Sequence, residues 1–188
     1  DEDGLVNSFH KGSQMVSVVV GSAAIVLIYF VEVFLQLWTQ DLDLSSRLGG
    51  LLRLLLLGNL IGSLTWIPYQ MQLAHGWTSL SVYLNSAAAI IIAGLMLWLV
   101  PSLGMFGAAY ILLLVGFAYN FLLAYLMFRK IMVRERWRWI IRDIAAPLLS
   151  SALSVGLLKV LWPTRETAFG QVLVLVIATV LALFASTL

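Results

Sequence analysis

The sequence predicts an all-α polytopic membrane protein with six transmembrane helices in an antiparallel bundle. Three observations carry this prediction. Of 188 residues, 62% are apolar and only 11% are charged, where a soluble domain has roughly a quarter of its residues charged. The mean hydropathy is +1.00. Six apolar stretches meet or approach the length of about 20 residues that crosses a hydrocarbon layer about 30 Å thick. Open strands are excluded at that depth, because every backbone N–H and C=O in lipid must be satisfied within its own segment.

The first stretch, residues 15–38, is interrupted only by Glu32 and the neutral Gln36. The second, 48–73, contains Arg53, and Pro68 within it frees the carbonyl of Leu64, so a bend is expected near its end. The third and fourth, 78–100 and 103–128, are separated by Pro101 and Ser102 and followed by the small residues Gly104, Gly107, Ala108 and Ala109, which suit a tight turn and close packing. The fifth, 144–162, carries Lys159, and the sixth, 168–188, has no formal charge. The links at 39–47, 75–77, 101–102 and 163–167 are short, which makes neighbouring helices antiparallel. Two units are expected: four helices and a basic loop over residues 1–142, then a terminal two-helix hairpin over 143–188.

Orientation follows from the basic residues. Residues 129–142 contain Arg129, Lys130, Arg134, Arg136, Arg138 and Arg142 against the single acid Glu135. A cytoplasmic position for this loop puts Lys11 and His75 on the same side and leaves Arg47 and Arg165 outside. Trp137 and Trp139 are expected at the membrane interface. The net charge of +2 comes from 11 basic and 9 acidic residues, without the clustered basic face that nucleic acid requires, so no nucleic-acid partner is expected. The start, Asp1-Glu2-Asp3-Gly4, lacks the basic region of a signal peptide. Together with the apolar end at Leu188, it leads us to expect a segment of a longer polytopic protein.

Polar groups inside spans are the functional candidates, because burying them in lipid is costly. Glu32 and Arg53 fall about 8–11 Å from the midplane on the same side of the bilayer, within reach of an ion pair. Asn59, Ser63, Trp66 and Gln70 recur every three or four residues, confining them to about 60° of a helix. That edge either lines a substrate path or bonds to neighbouring helices. Asn85 and Asn120 occupy similar depths on adjacent helices, where an interhelical amide bond is expected, and Asp143 is expected to cap the fifth helix.

No enzyme site is expected. His10 and His75 lack the spacing of a metal site, and no serine–histidine–aspartate group, phosphate loop or pair of catalytic carboxylates can be assembled. The absence of cysteine removes thiolate metal ligands, cysteine nucleophiles and disulfides. Neither a cofactor nor a metal is expected.

Four segments, taken in order, resemble a family. They are Leu35-Gln36-Leu37-Trp38-Thr39-Gln40-Asp41, then Leu54-Leu55-Leu56-Leu57-Gly58-Asn59, then Ile67-Pro68-Tyr69-Gln70-Met71-Gln72-Leu73-Ala74-His75-Gly76-Trp77-Thr78, then Pro101-x-x-Gly104-x-x-Gly107-Ala108-Ala109. Over about residues 5–150 the chain resembles the C-terminal lobe of bacterial polysaccharide flippases of the multidrug/oligosaccharidyl-lipid/polysaccharide exporter superfamily. The resemblance implies a two-lobed transporter that flips an undecaprenyl-diphosphate-linked oligosaccharide across the bacterial inner membrane by alternating access, for surface polysaccharide biosynthesis. The implied partners are that lipid-linked oligosaccharide, membrane lipids and the remaining N-terminal portion of the same transporter. The substrate-path candidates are Arg53, Asn59, Ser63, Trp66, Gln70 and Glu32. The alternatives are an ion-coupled small-molecule exporter of the same superfamily and a noncatalytic membrane scaffold subunit.

Overall fold

A computed structural model describes residues 2–161 and 168–187. Among these residues every regular element is helical. The expected link at 163–167, with Arg165, and the ends at Trp162 and Leu188 lie outside the described residues.

The first helix, α1 (Glu2–Val16), runs through a π-helical turn (Ser17–Gly21) into α2 (Ser22–Tyr29). The resulting apolar helix, Gly4–Tyr29, starts well before the expected residue 15. Hydropathy alone misplaces this start because the N-terminal half of the helix is polar, yet His10, Ser13 and Ser17 on it are buried. A break at Phe30 (φ −114°, ψ 27°) precedes α3 (Val31–Thr39), which ends on Gln40 in the left-handed region (φ 56°). Asp41 then caps α4 (Leu42–Leu64), accepting from the backbone N–H groups of Asp43 and Leu44 at 2.9 and 3.0 Å.

The bend expected from Pro68 is present. α4 stops at Leu64, Thr65 adopts φ −90° and ψ 2°, and α5 (Trp66–Ala74) continues. At the next turn, Gly76 takes a positive φ of 69°. Gln72 closes this turn by donating to the Trp77 carbonyl and to Ser81 Oγ, both at 2.7 Å.

Residues 78–100 and 103–128 belong to one 53-residue helix, α6 (Thr78–Lys130), interrupted at Gly104 (φ 58°, ψ −143°). A straight helix of that length would extend about 80 Å, far beyond a bilayer. Instead it folds back on itself. A Cβ on Gly107 would lie 3.2 Å from the Leu99 carbonyl oxygen, Tyr119 and Asn85 bond through their side chains, and Lys130 Nζ lies 4.0 Å from the centre of the Trp77 ring. The two halves therefore run antiparallel. The glycine is required because its backbone conformation is closed to residues with a side chain.

After α6 the expected basic link is mostly helical. A short α7 (Arg136–Arg138), a π-helical turn (Trp139–Ala145) and α8 (Ala146–Leu161) form one apolar helix, Arg136–Leu161. α9 (Ala168–Thr187) packs on α8 and α2. Their shared core holds Ile25, Val26, Phe30, Val33, Val155, Ala178 and Ala182. A second core joins Phe9, Met71, Ala124, Met127, Phe128, Met132 and Trp139 at the other end. Trp139 is thus not the interfacial residue expected: it is 6% exposed and packs 5.0 Å from Phe128, whereas Trp137 is 63% exposed.

Among the described residues, four helices are long and apolar enough to cross a membrane: Gly4–Tyr29, Leu42–Ala74, Thr78–Lys130 and Arg136–Leu161. The expected count of six is not confirmed by length and composition. The third and fourth stretches count as one helix although it reverses at Gly104, and the described apolar part of α9, Leu175–Thr187, is shorter than a span.

Candidate functional site

Glu32 opens α3 and Arg53 lies in the middle of α4, and packing of α3 on α4 brings them together. Arg53 Nη2 is 3.1 Å from Glu32 Oε1, and its Nε donates to the Ile28 carbonyl at 3.3 Å. The close approach depends on Gly49, where a Cβ would lie 3.0 Å from Glu32 Cγ. Both charged side chains remain open to the surroundings, at 38% for Arg53 and 57% for Glu32. Charges held on the outer face of a span in lipid are costly, so a face that carries an accessible ion pair is suited to water or to a protein partner.

Asn59 and Ser63 lie farther along the same helix and, with Trp66 at the start of α5, line an open cavity of about 380 Å³ that Val16 and Val20 also line. Gly58 and Gly62 contribute the floor. The polar groups partly satisfy themselves locally. Asn59 Nδ2 donates to the Leu55 carbonyl at 3.1 Å, and Ser63 Oγ donates to the Asn59 carbonyl at 2.8 Å. Asn59 Oδ1 and the broad Trp66 ring, 54% exposed, are left to meet a polar or sugar-like surface. Gln70 is exposed one turn beyond Trp66, past the Thr65 break, and does not line the cavity. The six sequence candidates thus fall in three places: the Glu32–Arg53 pair between α3 and α4, the cavity lining of Asn59, Ser63 and Trp66 at the α4–α5 break, and Gln70 on α5 outside that cavity.

The expected bond between Asn85 and Asn120 does not form. Asn120 accepts a hydrogen bond from the Thr65 hydroxyl, donates to the Gly116 carbonyl at 2.8 Å, and lines an apolar groove of about 450 Å³ with Phe117, Phe121 and Trp137. Asn85 meets Tyr119 instead. Helix geometry is the physical reason: Tyr119 and Asn120 project about 100° apart, so the half of α6 that turns Tyr119 to Asn85 turns Asn120 to Thr65.

Sequence reasoning missed a buried ionisable cluster. Asp143, expected as a helix cap, is 0% exposed, and His10 is 2% exposed. His10 Nδ1 contacts Asp143 Oδ2, and His10 Nε2 lies 2.9 Å from Glu135 Oε2. Gln14 Nε2 donates to the second Asp143 oxygen at 2.9 Å, and Arg138 reaches Glu135 at 3.7 Å. The available signal was the spacing of His10, Ser13, Gln14 and Ser17, which on a helix share an arc of about 100°. No group of three or more histidine, aspartate or glutamate residues is arranged to hold a metal ion among the described residues. Compared with known proteins, the chain matches no family model, no curated protein and no solved structure.

Proposed function

We propose that this chain is part of a membrane transporter that flips an undecaprenyl-diphosphate-linked oligosaccharide across the bacterial inner membrane by alternating access. One observation carries the reading: α4 bears an accessible Arg53–Glu32 pair and, about 9 Å farther along its axis, Asn59 and Ser63, which line a cavity with Trp66. A lipid-linked oligosaccharide presents a diphosphate for an arginine, hydroxyls for amide and hydroxyl groups, and sugar faces for an aromatic ring. The order of motifs from Leu35 to Ala109, which resembles the flippase lobe, supports the same reading.

In this reading α6 crosses the membrane twice, reversing at Gly104, and α9 supplies a sixth crossing. The basic segment 129–142 faces the cytoplasm. The α3–α4 edge faces the other lobe of the transporter, which contributes further cations for the diphosphate. Arg53 binds and orients anionic substrate, Glu32 holds the guanidinium, and Gln70 joins the path only when α5 moves about the Thr65 break.

The test is replacement of Arg53 and Gln70 by alanine in the full-length protein. Each variant is expected to reach the membrane at normal levels and to lose surface polysaccharide. Normal polysaccharide from both would remove these residues from the path. Glu32→Gln is expected to retain more activity than Arg53→Ala, because it keeps a hydrogen-bond acceptor for the guanidinium.

A further inference from the structure

His10 is an imidazole with an acidic oxygen on each ring nitrogen, Asp143 on Nδ1 and Glu135 on Nε2. Each contact requires one hydrogen between the two atoms. A neutral imidazole supplies one N–H and two carboxylates supply none, so the doubly bonded arrangement carries one further, exchangeable proton. Gln14 can only donate to Asp143 here, so it supplies a fixed dipole rather than that proton.

His10 is six residues from the start of the helix Gly4–Tyr29, and Asp143 is seven from the start of Arg136–Leu161, so each lies about 10 Å along its helix from that end. Its outer member, Glu135, is partly accessible at 26% and lines a cavity of about 370 Å³ with His75 and Arg134. Its inner side continues as polar groups. The Ser13 and Ser17 hydroxyls are buried and unpartnered, and farther along the same helix Ser22 Oγ lies 3.0 Å from Ser151 Oγ and 3.2 Å from Ser186 Oγ. From His10 to Ser22 the helix rises about 18 Å, more than half of the hydrocarbon thickness. Two local departures from α-helix, at Ser17–Gly21 and Trp139–Ala145, fall on this column, and π-helical turns commonly mark functional positions. Beyond the serines the column ends against the apolar core of Ile25, Val26, Phe30 and Val155.

We propose that His10, Asp143 and Glu135 form a buried proton-binding site, reached from the basic-loop face and closed at the far end, that couples transport to proton movement. A proton entering through Glu135 adds to His10 Nε2, so that the ring carries an N–H toward each carboxylate, Nδ1–H to Asp143 Oδ2 and Nε2–H to Glu135 Oε2. In this conformation release retraces that step toward the basic-loop face, and net proton movement requires the closed far end to open during transport. Arg138 faces Glu135, His75 and Arg134 share its cavity, Lys11 and Arg142 adjoin His10 and Asp143 in the chain but are exposed, and α5, packed on α1, carries no ionisable side chain but Tyr69. Ser13 and Ser17 extend the site inward with buried hydroxyls. The coupling role rests on the transporter reading; the proton site itself does not.

The experiment uses the full-length protein in lipid vesicles with ¹⁵N-labelled histidine and ¹³C-labelled aspartate carboxyls. His75→Gln removes the other histidine ring of this chain. As pH is raised, the His10 ring is expected to pass from two N–H signals to one, with a simultaneous change in one aspartate carboxyl carbon that Asp143→Asn abolishes. A ring that keeps one protonation form across the whole range, or a ring transition with no carboxyl change, overturns the site. The titration of ring and carboxyl needs no cluster variant and so does not depend on one folding; Asp143→Asn only assigns the carboxyl. In cells, Asp143→Asn that inserts normally is expected to lose surface polysaccharide, and normal polysaccharide there overturns coupling. If the ring and carboxyl titrate together but deletion of the whole protein leaves polysaccharide intact, the flippase reading fails and the proton site stands. If deletion removes polysaccharide but nothing titrates, the proton site fails and the flippase reading stands.

Discussion

At Gly107 an added methyl would lie 2.9 Å from Leu103 Cβ and 3.2 Å from the Leu99 carbonyl oxygen. Neither is the far end of a flexible side chain, so relief requires the backbone of the α6 turn to shift. Gly107→Ala is expected to destabilise by about 1–3 kcal/mol. Gly94 is the control, since a Cβ there meets nothing within 4 Å; Gly94→Ala is expected to be neutral or to stabilise by up to about 1 kcal/mol. Thermal unfolding of the two variants in the same detergent checks the order, and equal melting temperatures would remove the close approach at this turn. Gly104→Ala strains the turn for a different reason. Space is free around it, but its φ of 58° disfavours any L side chain by about 1–2 kcal/mol. At this scale the sequence was informative where a residue has one strong local meaning. Pro68 and Gly104 are such residues. It was uninformative for Asp143, whose local position at the start of an apolar stretch reads as a cap, while its partners lie more than 125 residues away in the chain.

The break between α4 and α5 shows how elements communicate. Pro68 leaves the Leu64 carbonyl without its helical donor, the chain relaxes at Thr65, and the Thr65 hydroxyl then reaches Asn120 on α6. Interhelical hydrogen bonds of this kind contribute about 0.6 kcal/mol and at most about 1.7 kcal/mol. Thr65→Val is therefore expected to cost about 1 kcal/mol, and a double-mutant cycle with Asn120→Leu should return most of it as coupling. A coupling of zero would mean that the bend and α6 move independently. The helices themselves were largely legible from apolar run lengths. Their ends were less so. α1 begins at Glu2, and the helix leading into α8 begins at Arg136, because a hydropathy window averages a buried polar stripe with its neighbours and lowers the score of a segment that is helical and packed.

For the whole molecule, the question is which ends share a side of the membrane. The chain has no cysteine, so single introduced cysteines report accessibility without background. Ser102→Cys, at the α6 turn, is expected to react with an impermeant reagent from one side of the membrane. Gly76→Cys and Arg134→Cys are expected to react only from the opposite side. Labelling of Ser102→Cys and Gly76→Cys from one side would show that the first half of α6 does not cross. The accessible Arg53–Glu32 pair gives the molecule a second asymmetry. Its edge carries charge on a surface otherwise lined by exposed Leu, Ile and Phe, which suits a lobe boundary better than a uniform lipid contact.

By itself the sequence determined that this chain is helical and apolar enough for a membrane, where the α4–α5 bend and the α6 reversal fall, and which loop carries the positive charge. These follow from interactions between near neighbours and from the need to satisfy every backbone group in lipid. Only the tertiary structure decided which polar residues are buried together. His10, Gln14, Glu135 and Asp143 converge because α1 packs beside the π-helical turn before α8. The face of a helix that a distant helix will cover is fixed by side-chain packing between segments, and no local pattern in either segment contains it.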